Sequence, residues 1–150
     1  MGAMTARRTL STIGYEGKTV DEFLGELADA QVELLIDVRA VAASRRPGFS
    51  KTALAASLAD RGIGYLHLRA LGTPKAGRDA ARKGRIAEMH AIFEAQLQTP
   101  EAELAMAQAD EAAQERHAAL LCFEADSSCC HREIVAARLA QRSGYAIHDI

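Results

Sequence analysis

Short β-prone apolar runs alternate along this chain with segments of helical periodicity, and that alternation constrains the fold more than anything else in the sequence. Leu34–Val38 is the plainest case, a run of apolar residues interrupted only by Asp37, the pattern of a strand covered on both faces. Thr9–Ile13, Ile63–Leu68, Ala118–Phe123 and Tyr145–His148 are the other predicted strands. Between the first two, Thr19 and Glu22 have capping-box spacing, and Val20, Phe23, Leu24 and Leu27 follow at helical intervals. Ser50 is a predicted N-cap for a helix running to about Arg61, closed by Gly62. Helices are also expected from Arg85 to Gln98, from Pro100 to Arg116 behind a Thr99 cap, and from Cys129 or Cys130 to Arg142. Leu71–Gly84, polar and rich in Gly and basic residues, reads as a long mobile loop.

The order β-α-β-α-β-α-α-β-α-β predicts a single α/β domain over residues 9–150: a mainly parallel sheet of about five strands with helices on both faces. Residues 1–8 are expected to be a tag remnant and disordered N-terminus. A chain of 150 residues suffices for one core without a metal or disulfide to hold it. Three cysteines cannot all pair within the chain, which argues against a secreted disulfide framework. No apolar run approaches a bilayer span and no signal-peptide core opens the sequence, so the protein is expected to be cytoplasmic, with no membrane partner.

The net charge of −2 hides an asymmetry. From Arg39 to Arg85 there are eleven basic residues against two acidic ones; the remainder holds seven basic and eighteen acidic. A segment so basic in an acidic protein draws anions towards it. In open parallel sheets the ligand crevice lies beyond the carboxyl ends of the strands. Gly14 and Tyr15 end the first strand; Asp37, Arg39, Ser44, Arg45 and Arg46 end or follow the second; His67 ends the third. Cys122 and Glu124 end or follow the fourth, and Cys130, His131 and Arg132 open the next helix.

Six ordered motifs lie at these places: Thr12–Gly17, Asp37–Arg39, Ser44–Lys51, Leu71–Lys75, Leu121–Glu124 and Cys130–Arg132. In these the chain resembles the bacterial and archaeal proteins grouped as domain of unknown function 488, from about Thr9 to His148. The resemblance implies a compact α/β fold with the motif loops gathered on one side of the sheet. It implies no reaction.

The residues themselves suggest chemistry. A Cys at a helix start beside Arg favours a thiolate, so Cys130 is a candidate nucleophile, with His131 or His67 as base and Glu124 as acid or orienting group. The bland reading of Cys130 is a small buried residue. Arg39, Arg45, Arg46 and Arg132 read as forks for phosphate or carboxylate, with Gly14, Tyr15 and Ser44 completing a ligand site. Asp37 reads as the partner that holds Arg39, or else as a general base. A phosphatase-type loop needs Arg after Cys and five further residues, but Ser128 and Ala136 stand there, and a rhodanese-type loop fails likewise. Mixed ionisable groups favour an enzyme, a hydrolase or transferase acting on a phosphate-bearing or nucleotide-like ligand, with no cofactor expected. Two alternatives stand beside it. One is a noncatalytic module binding nucleotide or nucleic acid through an open stripe of Lys75, Arg78, Arg82, Lys83 and Arg85. The other is a metal protein using Cys122, Glu124 and Cys130.

Overall fold

A computed structural model of the chain describes residues 8–123 and 131–150. Five strands form one all-parallel sheet: β1 (Thr9–Gly14), β2 (Leu34–Asp37), β3 (Gly64–His67), β4 (Ala118–Cys122) and β5 (Ala146–Asp149). Their spatial order is β3-β2-β4-β1-β5. Six α-helices connect them: α1 (Val20–Asp29), α2 (Lys51–Ala59), α3 (Lys75–Arg82), α4 (Ile86–Leu97), α5 (Pro100–Glu115) and α6 (His131–Ser143).

Alternation along the strands builds two cores. Leu35, Ala119, Leu121 and Ile13 face α1 and α2, packing with Phe23, Leu27, Leu54 and Leu58. Leu34, Ile36, Ala118, Leu120 and Leu10 face the other way, against Phe93, Met106, Ala109, Val135 and Leu139 of α4, α5 and α6. β2 and β4 are buried throughout, as a strand covered on both faces must be, whereas the edge strand β5 is mostly exposed.

The winding follows from the right-handed rule for parallel crossovers. Steps towards β3 use α1 and α2 on one face; steps back towards β4 and β5 use α3 to α6 on the other. The direction reverses between β1, which the chain leaves one way, and β4, which it leaves the other. Such a reversal opens a crevice at the carboxyl ends of the two strands.

The local signals behave as the sequence predicts at α1, where Thr19 accepts from the Glu22 amide and the Glu22 carboxylate accepts from the Thr19 amide. Thr99 likewise caps α5, with Pro100 in its first turn. The expected loop at Leu71–Gly84 is a correction. Arg69–Leu71 forms a 3-10 turn and Lys75–Arg82 is helical, with Gly77 and Ala80 buried. This helix carries no long apolar side chain of its own, so small residues let it lie close over α4. A Cβ on Gly77 would stand 2.5 Å from Thr73 Cγ2. Among the described residues no helix is long and apolar enough to cross a membrane.

Candidate functional site

At the end of β2 the chain buries an ion pair. Asp37 is fully buried and Arg39 is 6% exposed. The guanidinium grips the carboxylate at two points, Nε to Oδ1 at 2.9 Å and Nη2 to Oδ2 at 2.7 Å, and the Arg39 amide adds a third at 3.1 Å. Tyr65 on β3 donates to Oδ2 at 2.6 Å. Arg39 Nη1 donates to the Phe49 carbonyl at 2.8 Å and to the Tyr15 hydroxyl at 3.3 Å. Burial works against the Arg39 charge, but the Asp37 carboxylate more than offsets it and raises the pKa. Burial, and then the same carboxylate, raises the pKa of Tyr65. Of the two readings of Asp37, the geometry matches the partner that holds Arg39.

Two histidines brace this corner. His67 Nε2 donates to the Arg39 carbonyl at 2.8 Å, and His131 Nε2 donates to the Val38 carbonyl at 2.7 Å. Adjacent carbonyls of one strand end are thus held from β3 on one side and α6 on the other. His131 also meets the Phe93 ring edge-on at 5.2 Å. Burial pushes its pKa down to about 4, so it is neutral at physiological pH and a weak proton acceptor.

Arg132, 1% exposed, lies behind this rim and donates to Cys122 Sγ at 3.0 Å. Cys122 is disulfide-bonded. Gly14 pairs with Cys122 in register and marks the same level of the rim.

Above the rim lies a cavity of about 670 Å³. Among the described residues its lining comes from four stretches: Tyr15 after β1; Arg39, Ala40, Val41 and Ala43 after β2; Cys122 and Phe123 at β4; and His131 at α6. Thr73, Arg78, Ala81 and Arg82 of the α3 region and Ile86 and Met89 of α4 close the other side. Tyr15 is fixed by stacking on Phe49, with centroids 4.4 Å apart, and by an edge contact with Phe123 at 5.3 Å. The α3 side is held tightly to the strand end. Gly72 lies so near Ala40 that a Cβ on it would be 2.1 Å from the Ala40 nitrogen.

The structure therefore brings Tyr15, Arg39, Cys122 and His131 to one cavity, with Gly14 and His67 at its rim and Arg132 buried behind it. It does not bring Ser44, Arg45 and Arg46 there. Their loop is clasped on itself: Ser50 Oγ accepts from the Ser44 amide at 3.0 Å and donates to the Ser44 carbonyl at 3.1 Å, and Ser44 Oγ accepts from the Arg46 amide. Arg46 Nη2 donates to the Lys18 carbonyl, tying this loop to the one before α1. Gly48, at φ +88°, sits where a Cβ would be 3.0 Å from Val20 Cβ. Arg45 is exposed. Glu124 and Cys130 lie outside the described residues. Among the described residues no three His, Cys, Asp or Glu side chains group closely enough to hold a metal ion.

Sequence reasoning missed Arg78 and Arg82 as lining residues, because it took their segment for a loop and placed them on an open stripe. Their spacing of four was the available signal. They share one face if the segment is helical.

A family model described as Domain of unknown function DUF488 matches residues 19–139, most of the chain. The chain belongs to the DUF488 family. No curated protein and no solved structure matches it. Within this DUF488 chain the match runs from the start of α1 through β2, β3 and β4 to most of α6, so it includes every stretch lining the cavity except Tyr15.

Proposed function

We propose that this protein binds a small phosphate-bearing, nucleotide-like ligand in the cavity beyond the carboxyl ends of β1, β2 and β4. The observation that carries this is the composition of the lining. Two arginines of α3 share the lining with the apolar Ala40, Ile86, Met89 and Phe123. Guanidinium forks suit phosphate oxygens, and apolar lining suits the remainder of a nucleotide. The volume of about 670 Å³ lies in the range of sites that enclose such molecules. A bounded volume of this size favours a small ligand over nucleic acid, which needs a continuous open track.

Turnover is a separate part of the reading. It falls to Glu124 and, under reducing conditions in which the Cys122 disulfide is open, to the thiol of Cys130, chain neighbours of the lining residues Phe123 and His131, because His67 and His131 are both engaged with backbone carbonyls. Glu124→Gln and Cys130→Ser are expected to retain ligand affinity and lose turnover of any substrate found.

The test of binding is a thermal-shift panel of nucleotides, sugar phosphates and a single-stranded oligonucleotide. A ligand present at a hundred times its Kd adds about 2.7 kcal/mol of stability. A rise in melting temperature with a small phosphate compound is the expected result. Stabilisation by the oligonucleotide alone, weakening steeply with salt, would establish the nucleic-acid alternative instead.

A further inference from the structure

The charges around the cavity narrow the ligand further, given the binding reading above. Besides the neutral His131, three cations line it among the described residues: Arg39, Arg78 and Arg82. Arg39 is spent on Asp37, and Arg82 is ion-paired with Asp79. Arg78 makes no ion pair among the described residues. Its Nη1 donates to the Thr73 carbonyl at 2.9 Å, which fixes the fork without neutralising it. A guanidinium carries five N–H donors, so this contact leaves most of the fork for a ligand.

In the same lining, two large apolar side chains stand unusually open. Val41 is 57% exposed and Phe123 is 43% exposed. Both border the cavity. An inorganic anion would leave them in water and most of the volume unfilled. A triphosphate would bring several negative charges to one uncompensated cation and bury them at a cost in desolvation.

We infer that the cavity takes an aromatic ring system carrying one phosphate group, the chemistry of a nucleoside monophosphate, with Arg78 on the phosphate and Phe123 and Val41 against the ring. Arg78 then sets selectivity by charge number, and Phe123 contributes the stacking surface that every base offers equally.

The test is calorimetric titration of the full chain with each of the four ribonucleoside 5′-monophosphates, the matching 5′-triphosphates, the uncharged nucleosides and inorganic phosphate. At least one monophosphate is expected to bind tenfold or more tightly than its triphosphate, its nucleoside and inorganic phosphate. Arg78→Ala should weaken that monophosphate at least tenfold while leaving the nucleoside within twofold. Arg78→Lys should recover part of the loss, and Phe123→Ala should weaken both compounds about fivefold. Melting temperatures of the variants, checked in parallel, should stay within a few degrees of the parent. Triphosphates binding as tightly as monophosphates, or an Arg78→Ala variant with parental affinity, would overturn this inference and leave the cavity as a nucleotide site. Binding by none of the probes would overturn both.

Discussion

Asp37 and Arg39 are two positions apart, and each is tolerable in the interior only because of the other. Two parallel N–H···O contacts of 2.7 and 2.9 Å, with Tyr65 on the carboxylate, leave the pair well satisfied. Removing one partner strands a buried charge, which costs roughly 3–5 kcal/mol. Asp37→Asn and Arg39→Met are each expected to lower the free energy of unfolding, measured by denaturant titration, by that amount. The double variant should lose much less than the two single losses combined. Single losses below about 1 kcal/mol would show that the pair is not a support. The pairing itself was legible from proximity along the strand. Tyr65 and the Phe49 carbonyl were not, since they reach the pair only through the β2–β3 register and the loop before α2.

His131 gives a pH signature at the same corner. Its folded pKa of about 4 lies below the ordinary value of 6.5, so the unfolded chain takes up a proton that the folded chain refuses. The favourable contribution is complete above pH 6.5 and is lost as pH falls towards 4, by about 2–3 kcal/mol. Replacing His131 by Gln, which keeps a donor for the Val38 carbonyl, should flatten the stability profile between pH 6.5 and 4 relative to the parent. Parallel profiles would place His131 in water instead.

Among the connecting segments, the sequence was most readable where one helix face is apolar. Phe23, Leu24 and Leu27 announce α1, and the Thr19 box fixes its start. α3 offers no such stripe: Lys75–Arg82 holds alanine, glycine and charge, and its burial comes from contact with α4 and the Thr73 side chain. Only tertiary placement makes it a helix. At Ser50 the position was legible but the partner was not. The residue starts α2, yet its hydroxyl serves Ser44 rather than the helix. The Gly72 turn is where α3 is pinned to the strand end. Gly72→Ala would force a methyl against the Ala40 backbone, with an expected loss of about 1–3 kcal/mol and disturbance of the cavity wall. Equilibrium unfolding of that variant checks it, and parental stability would mean that the two backbones part easily.

Taken as one body, the protein divides its polar groups between the two ends of the sheet. The alternating elements made the α/β class legible, and the rule for parallel sheets pointed to the carboxyl rim, where the cavity lies. The strand order was not legible, because β4 inserts between β1 and β2 from 80 residues further on. That insertion brings Cys122 and Phe123 beside Tyr15. At the opposite rim a second cavity of about 580 Å³ is bordered by Arg8, Arg116, His117 and His148. The two ends make different predictions for backbone amide resonances during titration with a nucleoside monophosphate. Shift changes should cluster at Ala40–Ala43, Arg78–Arg82, Phe123 and His131. Changes gathered instead around Arg8, Arg116 and His148 would contradict the placement of the ligand beyond the carboxyl ends of the strands.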